Sequence, residues 1–383
     1  MIRDQAALDQ LLGAVRRFVR ERLVPLEAEV AETGVVPDAT IAAMREVGLF
    51  GLTIPEPYGG LGITTEEEVL VALEVGWTSP AFRSRFGTNV GIGSQGLVND
   101  GTEEQKTRYL PRLATGEIVG SFALTEPDAG SDAGSLRTRA RREGNGWVID
   151  GAKRFITNAP HAGLFTVFAR TNPDEPGARG VSAFLVERAS PGLSVGPTDR
   201  KMGQNGAPTA DVRFDGCRVP ADALLGRENE GFKTAMRVLD RGRLHIGAAC
   251  AGTAQRLIAE SVAYAMTRKQ FGKPIAEFQL IQAMLADSRT EALAARCMVL
   301  ETARRRDRGE DVAADASACK LFASEMVGRV ADRAVQIHGG NGYMADYAVE
   351  RFYRDVRLYR LYEGTSQIQQ LVIARAMLKE ASG

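Results

Sequence analysis

Three short segments carry side chains whose types and spacing could do chemistry. In Tyr362-Glu363-Gly364-Thr365-Ser366-Gln367-Ile368-Gln369 an acid stands at a loop-to-helix entry, with Thr365 placed to cap the helix that follows. Enclosed in apolar surroundings, such a carboxylate gains the basicity a general base needs. An exposed acid near a helix N-terminus is the commoner use of the same residue. Phe122-Ala123-Leu124-Thr125-Glu126-Pro127-Asp128-Ala129-Gly130-Ser131-Asp132 is dense in turn formers and hydroxyls directly after an apolar strand. Glycine lets a ligand approach the backbone, and Ser or Thr can donate to anionic or carbonyl oxygens, although an ordinary loop has the same composition. Arg154-Phe155-Ile156-Thr157-Asn158-Ala159 sets an aromatic ring and a hydroxyl on one strand face.

Elements of two kinds must position these segments. Up to about residue 117 the apolar pattern is helical: Leu8, Leu11, Leu12, Val15, Phe18 and Val19, then Arg22, recur at three and four. Pro25, the Pro55-Glu56-Pro57-Tyr58-Gly59-Gly60 turn and Gly87 divide this part into short helices. Residues 118–226 carry β-branched and aromatic runs, Trp147-Val148-Ile149, Leu164 to Phe168 and Val181 to Val186. Turn formers at Gly144-Asn145-Gly146, Asn172-Pro173 and Pro191-Gly192 separate them, which predicts a small antiparallel sheet or barrel. In residues 227–383 long helical patterns return, broken at Phe271-Gly272-Lys273-Pro274, Arg308-Gly309 and Gly339-Gly340-Asn341-Gly342. The fold class is mainly α with a central β domain. Gly91-Ile92-Gly93-Ser94-Gln95-Gly96 matches G-x-G-x-x-G, but a dinucleotide fold requires a strand before it and an acid about 20 residues on. Lying in the helical third, these small residues instead let elements or a ligand approach closely.

Composition removes whole classes of function. Lys plus Arg and Asp plus Glu are 48 each in 383 residues, so no basic excess favours nucleic acid or an anionic membrane. The cluster Arg304, Arg305, Arg306 and Arg308 is interleaved with Asp307, Glu310 and Asp311, as on a solvated helix end. Cys217, Cys250, Cys297 and Cys319 are scattered without metal-ligand spacing and read as buried or half-buried free thiols. With only 3 histidines, no His-rich metal site is available. The polar start Met1-Ile2-Arg3-Asp4-Gln5 and the lack of a long apolar run predict a reduced, soluble, cytoplasmic protein.

Together and in this order, with Arg268-Lys269-Gln270-Phe271-Gly272-Lys273-Pro274 and Gln336-Ile337-His338-Gly339-Gly340-Asn341-Gly342, the segments closely resemble the acyl-CoA dehydrogenase family over essentially the whole chain. The resemblance implies an N-terminal helical domain, a small antiparallel β barrel and a C-terminal four-helix bundle. It implies a homotetramer, a dimer of dimers, holding noncovalent FAD and passing electrons to an electron-transfer flavoprotein. At matching positions Phe122, Leu124, Thr125, Phe155 and Thr157 would lie against the flavin ring. Phe155 stands where the family usually has Trp, keeping an aromatic wall without the indole donor. Arg268, Phe271, Gln279, Gln336 and Gly340 of a neighbouring subunit would hold the adenine-diphosphate half, and Thr365 and Gln367 would also touch FAD. Ser131 would meet the CoA pantetheine, with Asp240, Arg243 and Tyr362 along the acyl-CoA channel. Glu363 matches the catalytic base. The alternative base position of some members is Gly242 here, which cannot serve.

The stretch Ala81-Phe82-Arg83-Ser84-Arg85-Phe86 departs from the uncharged pocket cap of straight-chain members. Arg83 falls where glutaryl-CoA dehydrogenases hold an arginine for the distal carboxylate, and also resembles an arginine of 3-sulfinopropionyl-CoA desulfinases. Arg pairs bidentately with either anion, whereas an Arg turned to solvent or paired with Glu74 would carry no such role. The function expected is therefore α,β-dehydrogenation of a short acyl-CoA, with a terminal anion as the specific expectation. Oxidative decarboxylation of a glutaryl-like substrate and desulfinase-like C–S cleavage are the alternatives. Retention of Glu363 argues against the latter.

Overall fold

The computed structural model describes residues 1–382. Its first part contains α1 (Gln5–Phe18), α2 (Glu27–Thr33), α3 (Asp38–Glu46), α4 (Thr65–Val75), α5 (Pro80–Val90), α6 (Gln95–Asp100) and α7 (Glu103–Ala114). Local chemistry sets their ends. Asp4 caps α1, and Thr64 with Glu67 and Thr102 with Gln105 form reciprocal capping boxes on α4 and α7. Gly87, expected as a break, lies inside α5. A Cβ there would come within 3.2 Å of Arg83 Nη1, so this glycine makes room for a guanidinium rather than for a turn.

The middle part contains β1 (Val119–Ala123), β2 (Arg139–Glu143), β3 (Gly146–Thr157), β4 (Ala162–Arg170), β5 (Val181–Glu187), β6 (Leu193–Val195), β7 (Thr209–Pro220) and β8 (Leu224–Leu225). They form one sheet in the order β6-β7-β3-β2-β4-β5-β8, with β1 branching onto β4. Most pairings are antiparallel, as the turn chemistry predicts. β1 runs parallel to β4 because the chain enters from the helical part without a hairpin. Gly93 of the glycine-rich stretch packs against the Gly120 backbone, where a Cβ would collide, so these small residues serve close approach of a loop to β1.

The last part is α8 (Gly231–Thr267), the short hairpin β9 (Lys269–Gln270) and β10 (Lys273–Pro274), then α9 (Gln279–Asp307), α10 (Ala313–His338), α11 (Ala348–Val356) and α12 (Ser366–Ala381). α10 packs on α8, α9 and α12 around Leu244, Val299, Met326 and Val330. Part of the basic run at the end of α9 is tied inward: Arg304 Nε donates to Glu66 Oε1 of α4 at 2.6 Å. Three of the cysteines are buried, but Cys297 is exposed on α9. No helix among the described residues is long and apolar enough to cross a membrane.

The three parts share buried surfaces. Leu110 and Leu113 of α7, Leu164 and Phe168 of β4 and Ala235 of α8 belong to one apolar cluster. Elsewhere Glu27 of α2 is buried and accepts from Thr78 Oγ1 (2.7 Å), Ser79 N (3.0 Å) and Arg351 Nη2 (2.9 Å), and faces Arg256 Nη1 at 3.3 Å. Breaking a buried charge pair strands its partner's charge. Glu27→Ala should therefore lower unfolding stability by about 3 kcal/mol or more, read by chemical denaturation. A loss under about 1 kcal/mol, the level of a surface pair, would disprove the lock.

Candidate active site

A cavity of about 760 Å³ opens where the three parts meet. The sheet supplies one wall, from Phe122 in β1, Leu124 and Thr125 just beyond it, and Phe155 and Thr157 at the end of β3. Phe155 has a φ of +58° and is 58% exposed, and the β3–β7 register slips between Lys153 and Ile156. A regular strand would not hold its ring out in this way. The loop after β1 is equally fixed. Lys153, fully buried, donates from Nζ to Leu124 O (3.1 Å) and Glu126 Oε1 (2.7 Å), and Glu126 accepts from the Arg137 and Thr138 N–H groups. Arg154 N donates to Thr125 O at 2.8 Å. Burial brings Lys153 down to about 8, with Glu126 opposing.

The opposite wall holds Arg83 on α5, Gly242, Arg243 and His245 on α8, and Tyr362 and Glu363 on the loop before α12. Glu363 has a φ of +52° and Gly364 of +89°, a turn foreign to most side chains. Buried donors hold it: Lys320 Nζ reaches Gly364 O at 2.7 Å, and Gln369 Nε2 reaches the carbonyls of Glu363 and Gly364 at 3.0 Å each. Thr365 caps α12, its hydroxyl accepting from Ile368 N. Glu363 Oε2 is shut from solvent without a hydrogen-bond partner. Burial raises the Glu363 pKa above the usual carboxylate value, and Arg83, His245, Lys320 and Arg243 hold that rise in check. Burial likewise brings Lys320 down to about 8. A Cβ at Gly242 would overlap Glu363 Oε2, so that glycine is required for the carboxylate to occupy its place.

Arg83 is 7% exposed. Its Nη2 donates to the Tyr362 hydroxyl at 3.2 Å, and its Nε has no partner. Glu74, the acid expected to compete for it, is taken by Arg16 at 2.6 Å. Burial drives the Tyr362 hydroxyl well above its ordinary pKa, so it stays a neutral partner.

Ser131 also lines the cavity. Asp240 stands outside the lining and accepts from Arg243 Nη1 at 2.6 Å, orienting that side chain. Gln367 is exposed, and neither it nor Thr365 reaches the lining. Arg268, Phe271, Gln279 and Gly340 line a second cavity of about 1000 Å³ around the β9–β10 turn. Gln336, exposed on the last turn of α10, is outside that lining. Gly242 and the end of α8 at Thr267 are separated by about 40 Å of helix at 1.5 Å per residue, so the two cavities do not adjoin. No cluster of His, Cys, Asp and Glu suited to a metal occurs among the described residues. Sequence reasoning missed Lys320, Gln369, Lys153, Glu126, Glu68 and His245. Of these, Glu126 and Gln369 lie within the segments singled out in the sequence and His245 stands one turn from Gly242 on α8, while Lys320, Lys153 and Glu68 lie in no such segment.

Three family models match: "Acyl-CoA dehydrogenase, N-terminal domain" over residues 5–117, the middle domain over 121–217 and the C-terminal domain over 229–378. The chain is 42% identical over 372 residues to a probable acyl-CoA dehydrogenase, FadE25, of Mycobacterium tuberculosis, covering 97% of this chain and 95% of the relative. It is 43% identical over 381 residues to an acryloyl-CoA reductase (NADH) of Anaerotignum propionicum, covering 99% and 95%. Butyryl-CoA dehydrogenase from Megasphaera elsdenii superposes with a TM-score of 0.95 at 34% identity, over 99% of this chain and 100% of that one. An acyl-CoA dehydrogenase complexed with FAD from Bacillus anthracis gives 0.92 at 34%, over 99% and 68%. Matched from end to end in sequence and in fold, the chain belongs to the acyl-CoA dehydrogenase family, FAD-dependent oxidoreductases acting on a CH–CH bond.

Proposed function

We propose that this enzyme dehydrogenates a short acyl-CoA whose far end carries an anion, with Glu363 as the base and Arg83 as the anion reader. The observation that carries the substrate reading is a buried arginine in the cavity of Glu363 whose one polar partner found in the chain is a neutral hydroxyl. A guanidinium in such a place is stabilised by a bidentate carboxylate or sulfinate. Glu363 removes the α-proton. Its main-chain N–H, which joins no backbone bond outside the regular elements, donates to the thioester oxygen as negative charge develops there.

The sheet-side wall fits a flavin: Phe122, Leu124 and Phe155 offer an apolar and aromatic face, and Thr125 and Thr157 bring hydroxyls to its edge. Bound there, FAD supplies the acceptor for the β-hydrogen as hydride. Arg268, Phe271, Gln279, Gln336 and Gly340 of a neighbouring copy, with Thr365 and Gln367, complete the cofactor site. The separation of the two cavities supports a site shared between subunits, hence a homotetramer built as a dimer of dimers. Ser131 meets the CoA pantetheine, Arg243 and Tyr362 line the acyl-CoA channel with Asp240 holding Arg243 from behind, and an electron-transfer flavoprotein takes the electrons onward.

Anaerobic flavin bleaching against butyryl-, isobutyryl-, octanoyl-, glutaryl-, succinyl- and 3-sulfinopropionyl-CoA tests the substrate. Anionic thioesters should bleach best. Arg83→Met should lower their kcat/KM by about 30-fold, the factor about 2 kcal/mol of lost charge-assisted bonding corresponds to, while sparing butyryl-CoA. Preference for uncharged thioesters would refute the anion reading, and sulfite release without bleaching would point to C–S cleavage. Glu363→Gln should cut bleaching at least about 100-fold.

The raised Glu363 pKa has two consequences. The wild-type bleaching rate should climb with pH through an acid limb above the ordinary carboxylate range. The folded state also disfavours the ionised form, so wild-type stability falls as pH rises from the unfolded to the folded pKa. Glu363→Gln should accordingly unfold at a higher temperature than wild type near neutrality, and this advantage should vanish below the ordinary carboxylate pKa. Gly242→Ala should fold and bind FAD yet bleach at least about 10-fold more slowly, since its methyl displaces the carboxylate from an attack geometry. An unaltered rate would mean Glu363 works from another position.

A further inference from the structure

Two buried polar atoms in the same cavity lack partners: Glu363 Oε2 and His245 Nε2. Glu363 Oε2 lies over Gly242, where a side chain would exclude it. His245 is three residues further along the helix. A helical side chain leans towards the N-terminus of its helix, over the residue one turn earlier, so the imidazole lies over the same gap. Both residues line the cavity. The other ring nitrogen is anchored: Nδ1 stands 3.1 Å from Glu68 Oε1 on α4, and Glu68 Oε2 accepts from Arg241 Nε at 2.7 Å. Arg241 Nη1 is held in turn by Gln95 Oε1 at 3.1 Å. Burial works to protonate Glu68, but Arg241 and His245 outweigh it and bring its pKa to about 2. An ionised carboxylate on Nδ1 selects the tautomer with the proton there, leaving the Nε2 lone pair free.

We propose that His245, backed by Glu68, is the proton partner of Glu363. After the base has taken the α-proton, the Glu363 O–H bond breaks and its electrons stay on the carboxylate. The Nε2 lone pair forms the new N–H bond, directly or through one water, and the resulting imidazolium rests its Nδ1–H on ionised Glu68. Glu363 is thereby returned to its reactive form, and the net charge of the Glu68, His245 and Glu363 group is unchanged by the transfer. The arrangement follows the logic of an acid–imidazole pair behind a reactive group, with a carboxylate in place of a nucleophile. It rests on Glu363 being the base, and it makes His245 a positioning residue for that base.

The charged and titratable groups around the pair are Arg83 of α5, Glu68 of α4, Arg241 and Arg243 of α8, Arg306 of α9, Lys320 of α10 and Tyr362 beside Glu363. Set against these, only His245 offers an unpartnered nitrogen with a lone pair one helical turn from Gly242.

The test uses the purified FAD-loaded enzyme with butyryl-CoA and glutaryl-CoA, reading stopped-flow bleaching and multiple-turnover kcat from about pH 5.5 to about 9. His245→Phe should move the acid limb of bleaching upward by about one pH unit, because the carboxylate loses the neighbour that takes up its proton. It should also lower multiple-turnover kcat by about 10-fold with KM within about twofold, the lower end of what a positioned acid–base group contributes. His245→Gln, which keeps a polar side chain of similar reach but does not titrate, should show the same two changes and serves if the Phe variant loses FAD. Glu68→Gln, with His245 in place, should give a smaller change of the same sign. Acid limbs of His245→Phe or His245→Gln that superimpose on wild type, with kcat preserved, would overturn the proposal. If instead Glu363→Gln bleaches normally, the base assignment itself fails, whichever result His245 gives.

Discussion

A carboxylate that serves as a base, the role proposed for Glu363, cannot also be satisfied, and this constraint governs the centre of the molecule. Glu363 presents an oxygen without a hydrogen-bond partner in a cleft closed to solvent, a state that elsewhere in a fold would be removed by protonation or by relocation of the side chain. It persists because its main chain has nowhere else to go. Lys320 and Gln369 occupy the carbonyls of Glu363 and Gly364, and the positive φ of both residues fixes the direction in which the side chain leaves the loop. The cations Arg83, Lys320 and Arg243, with the His245 imidazole, offset part of the desolvation without bonding the free oxygen.

Such a site requires rigid surroundings, and the chain supplies them by placing buried charges at the seams between its parts. Glu27 joins α2 to α8 and α11 through Arg256 and Arg351, and Asp355 of α11 receives the Gln204 main-chain N–H from the loop before β7. Buried pairs of this kind add little net stability compared with apolar packing, but each has one geometry in which its charges are answered. They therefore register the three parts against each other. The pair of Lys153 and Glu126 does the same within the sheet domain, pinning the loop after β1 and with it the sheet-side wall of the cavity.

Glycine shapes the cavity at two places by what it leaves out. The missing side chain at Gly242 admits the Glu363 carboxylate, and that at Gly87 admits the Arg83 guanidinium one turn back on the same helix. The Glu363 carboxylate and the Arg83 guanidinium thus enter the cavity from different elements, a loop and α5, through space held open on their neighbours.

The order of helices and strands, the capping residues and the breaks between long helices were legible in the sequence, because they follow from periodicity and turn chemistry acting within a few residues. So were Glu363, the aromatic and hydroxyl segments and the family likeness, which lie in contiguous motifs. Gly87 misled, since a glycine within a helix and one that ends it look alike until its neighbour's side chain is placed. Lys320, Glu68 and Lys153 left no local signal: each acts on a partner brought near only by folding, whereas Gln369 bonds carbonyls five and six residues before it within a motif already legible. The chemistry of the site was written in short stretches of sequence, whereas its electrostatics, the free oxygen of Glu363 and the burial of Arg83, were decided by packing between distant elements, because desolvation depends on what surrounds a group in space and not on what precedes it in the chain.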